Sequence, residues 1–440
     1  MSAMNLVEQV RQAGVVGAGG GGFPTHVKLA ATADTVIANG AECEPLLHKD
    51  AVLMEEQAPA LVRGIELAMQ AVGARQGVIG VKAKKQRAVE AVTAACAGTA
   101  VRVALLGDYY PAGDEYDLVF NVTGRLIPPH GIPLHVGVVV NNVETFVNIA
   151  AAAEGRAVTH KTLTIAGVVQ TPVTLRVPLG TSCRACIAAA GGLTTSDPVL
   201  LLGGLMMGQT TDDLETPITK TMTGVVVLPR SHPVVQRKLR PAPEQAKIGK
   251  SACDQCRYCT EYCPRFLLGY AVEPHQVMRT LAFTATGAEF FNQWASLCCG
   301  CGLCTLYACP EELYPKEACD SAKAVLRRMN QQWTGPTPPR PHPLRDGRRV
   351  PLASLTRRLR VTEYDRPAPW RTAPLAPSRL VLPLKQSAGV ACEVKVRVGE
   401  PVTAGQVLGA PPDGALGALL HAPADGVVRA VTETHLVVEK

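Results

Sequence analysis

Aromatic side chains are scarce in this 440-residue chain: 7 Phe, 9 Tyr and 3 Trp make up 4% of it. Base-stacking platforms need exposed rings, and few remain once cores are filled, so no nucleic-acid partner is expected. Charge of one sign is also lacking. Forty-four Lys and Arg against 37 Asp and Glu leave only +7, far short of a polybasic binder. No run of about 20 apolar residues occurs, and runs such as 137–140 and 225–228 are strand-sized, so no transmembrane segment is expected. The start, MSAMNLVEQVRQAG, has no uninterrupted apolar stretch and does not read as a secretory signal.

What is present is apolar residue, 47%, with 18% charged, which excludes a disordered chain and fills several cores. The length predicts two to four domains. Residues 1–155 alternate strand-like runs (36–38, 77–81, 101–106, 137–140) with helical ones (58–71, 86–95), the pattern of a layered α/β domain. Residues 156–245 turn to two β-rich stretches and a short Ala-rich helix ending at Gly191-Gly192. Residues 246–332 hold most of the cysteines between helical stretches. Residues 333–378, rich in Pro and Arg, read as an extended connector without a regular core. Residues 379–440 return to alternating β pattern with Gly turns, a small all-β sandwich or barrel.

Fifteen cysteines are many for a reducing compartment, and nine fall between residues 253 and 309. Such clustering points to metal rather than disulfides. CDQCRYCTEYCP places Cys253, Cys256, Cys259 and Cys263 at x2, x2, x3 spacing before Pro264. CCGCGLCTLYACP places Cys298, Cys301, Cys304 and Cys309 before Pro310, with x4 in the last gap. Three thiolates on one tight loop reach three irons of a cubane, and in two-cluster ferredoxins the fourth cysteine of each run serves the other cluster. Carried over, cluster one takes Cys253, Cys256, Cys259 and Cys309, and cluster two takes Cys298, Cys301, Cys304 and Cys263. Zinc is the alternative, since Cys-x-x-Cys pairs also build tetrahedral sulfur sites. Cys299 fits no ligand position in this register and reads as a spare thiol or a neighbour of the cluster.

The second signal is Gly17-Ala18-Gly19-Gly20-Gly21-Gly22-Phe23-Pro24, followed by Lys28. Its G-x-G-x-x-G lacks the preceding strand of a Rossmann site. Residues without Cβ let a backbone approach a flat ring or a phosphate, so a nucleotide or flavin loop and a structural loop both stay open. NGAECEP sets Asn39, Glu42 and Glu44 beyond one strand, and VVVNNVETF sets Asn141, Asn142, Glu144 and Thr145 at the end of another. Amides and carboxylates at strand ends suit the edges of a polar heterocycle or ribose.

GAGGGGFPTHVK, NGAECEP, YYPAGDE and VNNVET resemble the FMN- and NADH-binding motifs of the complex I 51-kDa flavoprotein and of RnfC proteins. The domain order over nearly the whole chain is similar to the PduS-type cobalamin reductases of bacterial microcompartments. The resemblance implies a multidomain α/β protein. Its parts are a 51-kDa-like flavin domain, a β-grasp ligand module, a helical domain with two [4Fe-4S] clusters and a C-terminal β barrel-sandwich hybrid. It implies FMN against Gly17, Gly19, Gly20, Gly22 and Lys28, with Asn39, Glu42, Tyr110, Asn141, Asn142 and Thr145 around it, and NADH near Phe23, Glu44 and Glu115. Where the family carries Arg in the loop and Asp before the first Glu, this chain has Ala18 and Ala41. The C-terminal turn Ala422-Pro423-Ala424-Asp425-Gly426 has no Lys to modify, unlike a biotinyl or lipoyl domain.

The function so implied is an NADH-dependent relay that reduces cobalamin in the cytoplasm, within a bacterial microcompartment, beside a shell protein and a corrinoid adenosyltransferase. A flavin suits such a relay because it stands between two-electron and one-electron chemistry. An RnfC-like wiring protein that passes electrons to a protein partner is the alternative, and a scaffold whose clusters only hold the fold is a third. Elsewhere, Cys183 and Cys186 open an Ala-rich helix and are expected in its core. Cys43, Cys96, Cys319 and Cys392 are expected to be isolated and packed, and His275 to lie at the surface.

Overall fold

The computed structural model describes residues 5–281, 291–335 and 339–440. The first four residues, a stretch between the cysteine runs and three residues of the connector lie outside these.

Four apolar strands form the N-terminal sheet, in the spatial order Val101–Leu106, Gln76–Lys82, Thr35–Gly40, Val138–Asn142, all parallel. The middle strands are buried along almost their whole length, as expected when helices cover both faces. The 24-residue helix Lys49–Val72 crosses Val143–Ala153 so closely that a Cβ on Gly64 would lie 1.9 Å from the Phe146 carbonyl oxygen. It stops at Gly73, whose φ of 72° is the left-handed C-terminal turn glycine favours. Asn39 pairs in register with Asn142, so both candidate amides end neighbouring strands.

The second module is a five-stranded mixed sheet in the order Val173–Pro178, His160–Gly167, Gly224–Pro229, Pro198–Leu202, Gln209–Thr211. Its helix Cys183–Ala189 buries Cys183 and Cys186 completely, as expected of a helix core. The cysteine runs lie among short helices, with Pro315–Arg328 packed beside them. The last module has sheets of four and three antiparallel strands.

The connector departs from the expectation of a coreless extended segment. It contains the helix Leu352–Arg358 and a two-residue strand, Val350–Pro351, paired with Tyr109–Tyr110. Leu355 and Val361 are fully buried in one cluster with Tyr110, Leu201 and Leu303, which joins four modules. Leu352, Leu355 and Leu359 recur at helical spacing, and that apolar face overrides the surrounding Pro and Arg.

Candidate functional site

The glycine loop is a hairpin closed by Gly17 N–H to Phe23 O (2.9 Å) and Gly22 N–H to Gly17 O (3.1 Å). At its crest Gly20 (φ 113°) and Gly21 face open space, and a Cβ on either would meet nothing within 4 Å. Gly19 is different: its Cβ would press on the Asn142 side chain at 3.1 Å. The hairpin therefore rests on Asn142 and opens outward.

Beneath it, Ala18 is clamped from both sides. Its N–H donates to Thr145 Oγ1 (3.0 Å) and its carbonyl accepts from Lys161 Nζ (2.8 Å). Lys161 is ion-paired with Glu144, which Lys49 also reaches at 3.0 Å. Lys49 binds Asp50 (2.8 Å) and Asn142 Oδ1 (3.1 Å) as well. Burial pushes Lys161 down to about 8 despite Glu144, and opposes ionisation of Glu144, but Lys161 and Lys49 outweigh it and hold that carboxyl below its ordinary range. Glu42 lacks such compensation. Burial and the neighbouring Asp50 push it up to about 7.

The residues present fit a bound flavin in two respects. The loop crest is free of side chains, and the strand ends carry buried polar atoms without partners, Asn141 Nδ2 and Glu42 Oε2. Such atoms cost free energy unless a ligand or water pairs with them. The position also suits a ligand, outside the carboxyl ends of parallel strands.

The other expected contacts are distributed unevenly. Lys28 Nζ donates to Val140 O (2.8 Å) and lies 3.7 Å from the exposed Glu115, so these two stand together at the strand ends. Phe23 is half-buried in the hairpin. Asn39 is turned to Gly113, donating to its carbonyl at 2.9 Å. Both oxygens of Glu44 are taken by the N–H groups of Met206 and Met207, each at 2.9 Å, which ties it to the second module. Tyr110 is buried, and its hydroxyl donates to the Cys301 carbonyl at 2.6 Å.

The cysteines fall into two neighbouring sets. Cys253, Cys256, Cys259 and Cys309 line one recess with His275 and Met278. Cys263, Cys298, Cys301 and Cys304 lie within one another's electrostatic reach, and Cys304 is close enough to feel Cys259 of the first set. N–H groups converge on the sulfurs: Gly300 on Cys298 (3.4 Å), Leu313 on Cys309 (3.3 Å), and Arg265 and Phe266 on Cys263. Neutral thiols are weak acceptors, so this donor set fits metal-bound thiolates. Among the described residues no three Cys, His or carboxylate groups meet at the spacing of a single ion.

Of three neighbours of these sets, Cys319 and His275 escape a reading of the sequence, whereas Cys299 falls where its register allows. Cys319, expected to be isolated, is buried against Cys298. Cys299 lies beside Cys301 and Cys263. His275, expected at the surface, is 6% exposed, and its Nδ1 is 2.8 Å from the hydroxyl of Thr260. The repeated spacing within each run picks out candidate ligands, but no sequence signal shows what tertiary packing sets beside them.

Comparison with known proteins accords with these sites. The Nuo51 FMN-binding domain family matches residues 10–151, the 4Fe-4S dicluster domain family residues 252–314, and the RnfC barrel sandwich hybrid domain family residues 366–440. The dicluster match removes the zinc alternative. The crystal structure of an NAD+-reducing [NiFe]-hydrogenase in the air-oxidized state superposes with a TM-score of 0.50 at 22% identity, over 82% of this chain and 67% of that one, a likeness of fold alone. A component of the Na+-translocating ferredoxin:NAD+ oxidoreductase complex of Acetobacterium woodii is 36% identical over 60% of this chain and 58% of its own. Cobalamin reductase PduS of Salmonella typhimurium is 42% identical over 100% of this chain and 97% of its own length, and PduS of Citrobacter freundii 41% over 99% and 96%. With a flavin domain, an iron–sulfur domain and relatives that match it end to end, the chain is an electron-transfer oxidoreductase and belongs to the PduS cobalamin reductase family.

Proposed function

We propose that this chain takes electrons from NADH at the glycine-loop site, passes them through two [4Fe-4S] clusters and delivers them singly to cobalamin in a bacterial microcompartment. Bound FMN and clusters together supply the conversion of a two-electron donor into one-electron steps. Gly19, Gly20, Gly21, Lys28, Asn141 and Glu42 would hold the flavin, and the eight cysteines of the two sets would hold the clusters. Corrinoid reduction follows from the PduS relatives being cobalamin reductases, and the adenosyltransferase and shell-protein partners rest on the sequence resemblance alone.

One observation carries the reading. The segment between Tyr110 and Asp114 is a shared wall between the two sites. On the flavin side Gly113 accepts from Asn39. On the cluster side Tyr110 donates to Cys301, and Asp114 pairs with Arg265 at 2.8 Å, two residues after Cys263. Cysteine set two therefore adjoins the flavin site, and set one, with exposed Cys256, leads outward. That order supports entry at the glycine loop and exit near Cys256.

The similarity to components of ion-translocating complexes favours a second reading, a wiring protein that hands electrons to a protein partner. Anaerobically reconstituted protein separates the two. NADH should bleach its flavin, about eight irons should be bound per chain, and cob(II)alamin should be reduced by the isolated chain. Bleaching without corrinoid reduction supports the wiring role, and no bleaching overturns NADH as donor.

A further inference from the structure

Thr260 follows the cysteine Cys259, is fully buried, and has its hydroxyl oxygen at a junction of three groups. It accepts from the backbone N–H of His275 at 3.3 Å, lies 2.8 Å from His275 Nδ1, and is within hydrogen-bonding reach of the Cys259 sulfur. The imidazole lines the recess ringed by Cys253, Cys256, Cys259 and Cys309. The charged groups that face it are Glu273, whose carboxylate is 3.8 Å from Nδ1, and Arg257 and Arg279.

The hydroxyl has one proton and two acceptors within reach, Nδ1 and sulfur. If it donates to Nδ1, the imidazole carries its own proton on Nε2, on a side chain that lines the recess. If it donates to Cys259, Nδ1–H donates to the hydroxyl oxygen and fixes it in place. A protonated imidazole keeps both donors. Whenever Nδ1 carries a proton, the hydroxyl proton is therefore free for the Cys259 sulfur.

We propose that Thr260 and His275 form a positioning pair that gives the first cluster a hydrogen bond and raises its reduction potential. The inference rests on the cluster assignment above. A reduced cluster carries one more negative charge than an oxidised one, so a donor to sulfur stabilises the reduced form more. Among the described residues the second set has other neighbours, the thiols of Cys299 and Cys319 and the charged groups of Lys323, Asp320 and Glu317. The pair thus raises the potential of the outer cluster above what its four cysteines alone would set.

The test is a redox titration followed by electron paramagnetic resonance on the full-length, anaerobically reconstituted protein. Thr260→Val keeps the shape and removes the hydroxyl; His275→Leu removes the imidazole. Each should shift the reduced-to-oxidised ratio of the first cluster about tenfold toward oxidised at a fixed potential, equivalent to about 59 mV for one electron. The second cluster should titrate unchanged, and Thr260→Ser should follow the wild type. Both variants titrating with the wild type at full iron content overturns the pair, as does a shift in only one of them. A wild type without cluster signals overturns the function reading itself.

Discussion

The Tyr110 hydroxyl donates a 2.6 Å hydrogen bond to the carbonyl oxygen of Cys301, joining the flavin-domain wall to a cluster cysteine 191 residues away in sequence. Tyr110→Phe leaves that buried carbonyl unpaired, at a cost of about 1–3 kcal/mol. Stopped-flow absorbance should show flavin reduction at the wild-type rate and slower bleaching of the clusters. Equal slowing of both would place Tyr110 at the donor site instead.

Gly20 sits at the open crest of the hairpin with φ of 113°. Gly20→Val should abolish flavin retention through gel filtration while leaving iron content at the wild-type value. An added Cβ meets no protein atom within 4 Å, so the fold is expected to survive with a backbone strain of about 1–3 kcal/mol.

Lys161 holds the Ala18 carbonyl and the Glu144 carboxylate from inside the protein. Lys161→Met removes one partner of a buried ion pair, a change that typically costs about 3–5 kcal/mol. A denaturant midpoint within error of the wild type would show that the cluster of charges relaxes without it.

Glu42, pushed up to about 7 by burial and Asp50, makes the flavin-free protein sensitive to pH. A carboxyl whose folded-state pKa lies above its unfolded value binds protons more tightly when folded. Stability is then lost as pH rises from the ordinary carboxyl range through about 7, and changes no further above it. Thermal melts of the wild type and Glu42→Gln should diverge between pH 5 and pH 8, with the variant gaining by roughly 3 kcal/mol at most. Parallel melts would overturn the raised pKa of Glu42.

Cys256 and Cys301 belong to different sets. Serine at either should reduce bound iron from about eight to about four per chain. Cys299→Ala should keep all of it. Loss of iron in that last variant would make Cys299 a ligand.

Much of the fold was legible because parallel strands buried on both faces write themselves as apolar runs. The strand Gln76–Lys82 and the helix Gln86–Ala95 fall where periodicity puts them. The cysteine sets were legible because one loop carries three sulfurs at fixed spacing. What was not legible depends on partners far apart in sequence. Glu44 reads as a cofactor contact by its motif, yet it binds Met206 and Met207 in the next module. His275 reads as a surface residue until Thr260, 15 positions earlier, is packed against it. The connector hides a three-leucine face among prolines and arginines.

The C-terminal sandwich touches the glycine hairpin directly. Ala388 N–H donates to Gly22 O at 2.9 Å, and the buried Lys220 Nζ bridges Gly14 O and Leu419 O, each at 2.7 Å. A tail deletion would thus unroof the hairpin and masquerade as a cofactor mutant. Anyone trimming the last sixty residues to find a minimal reductase would be dismantling its front door.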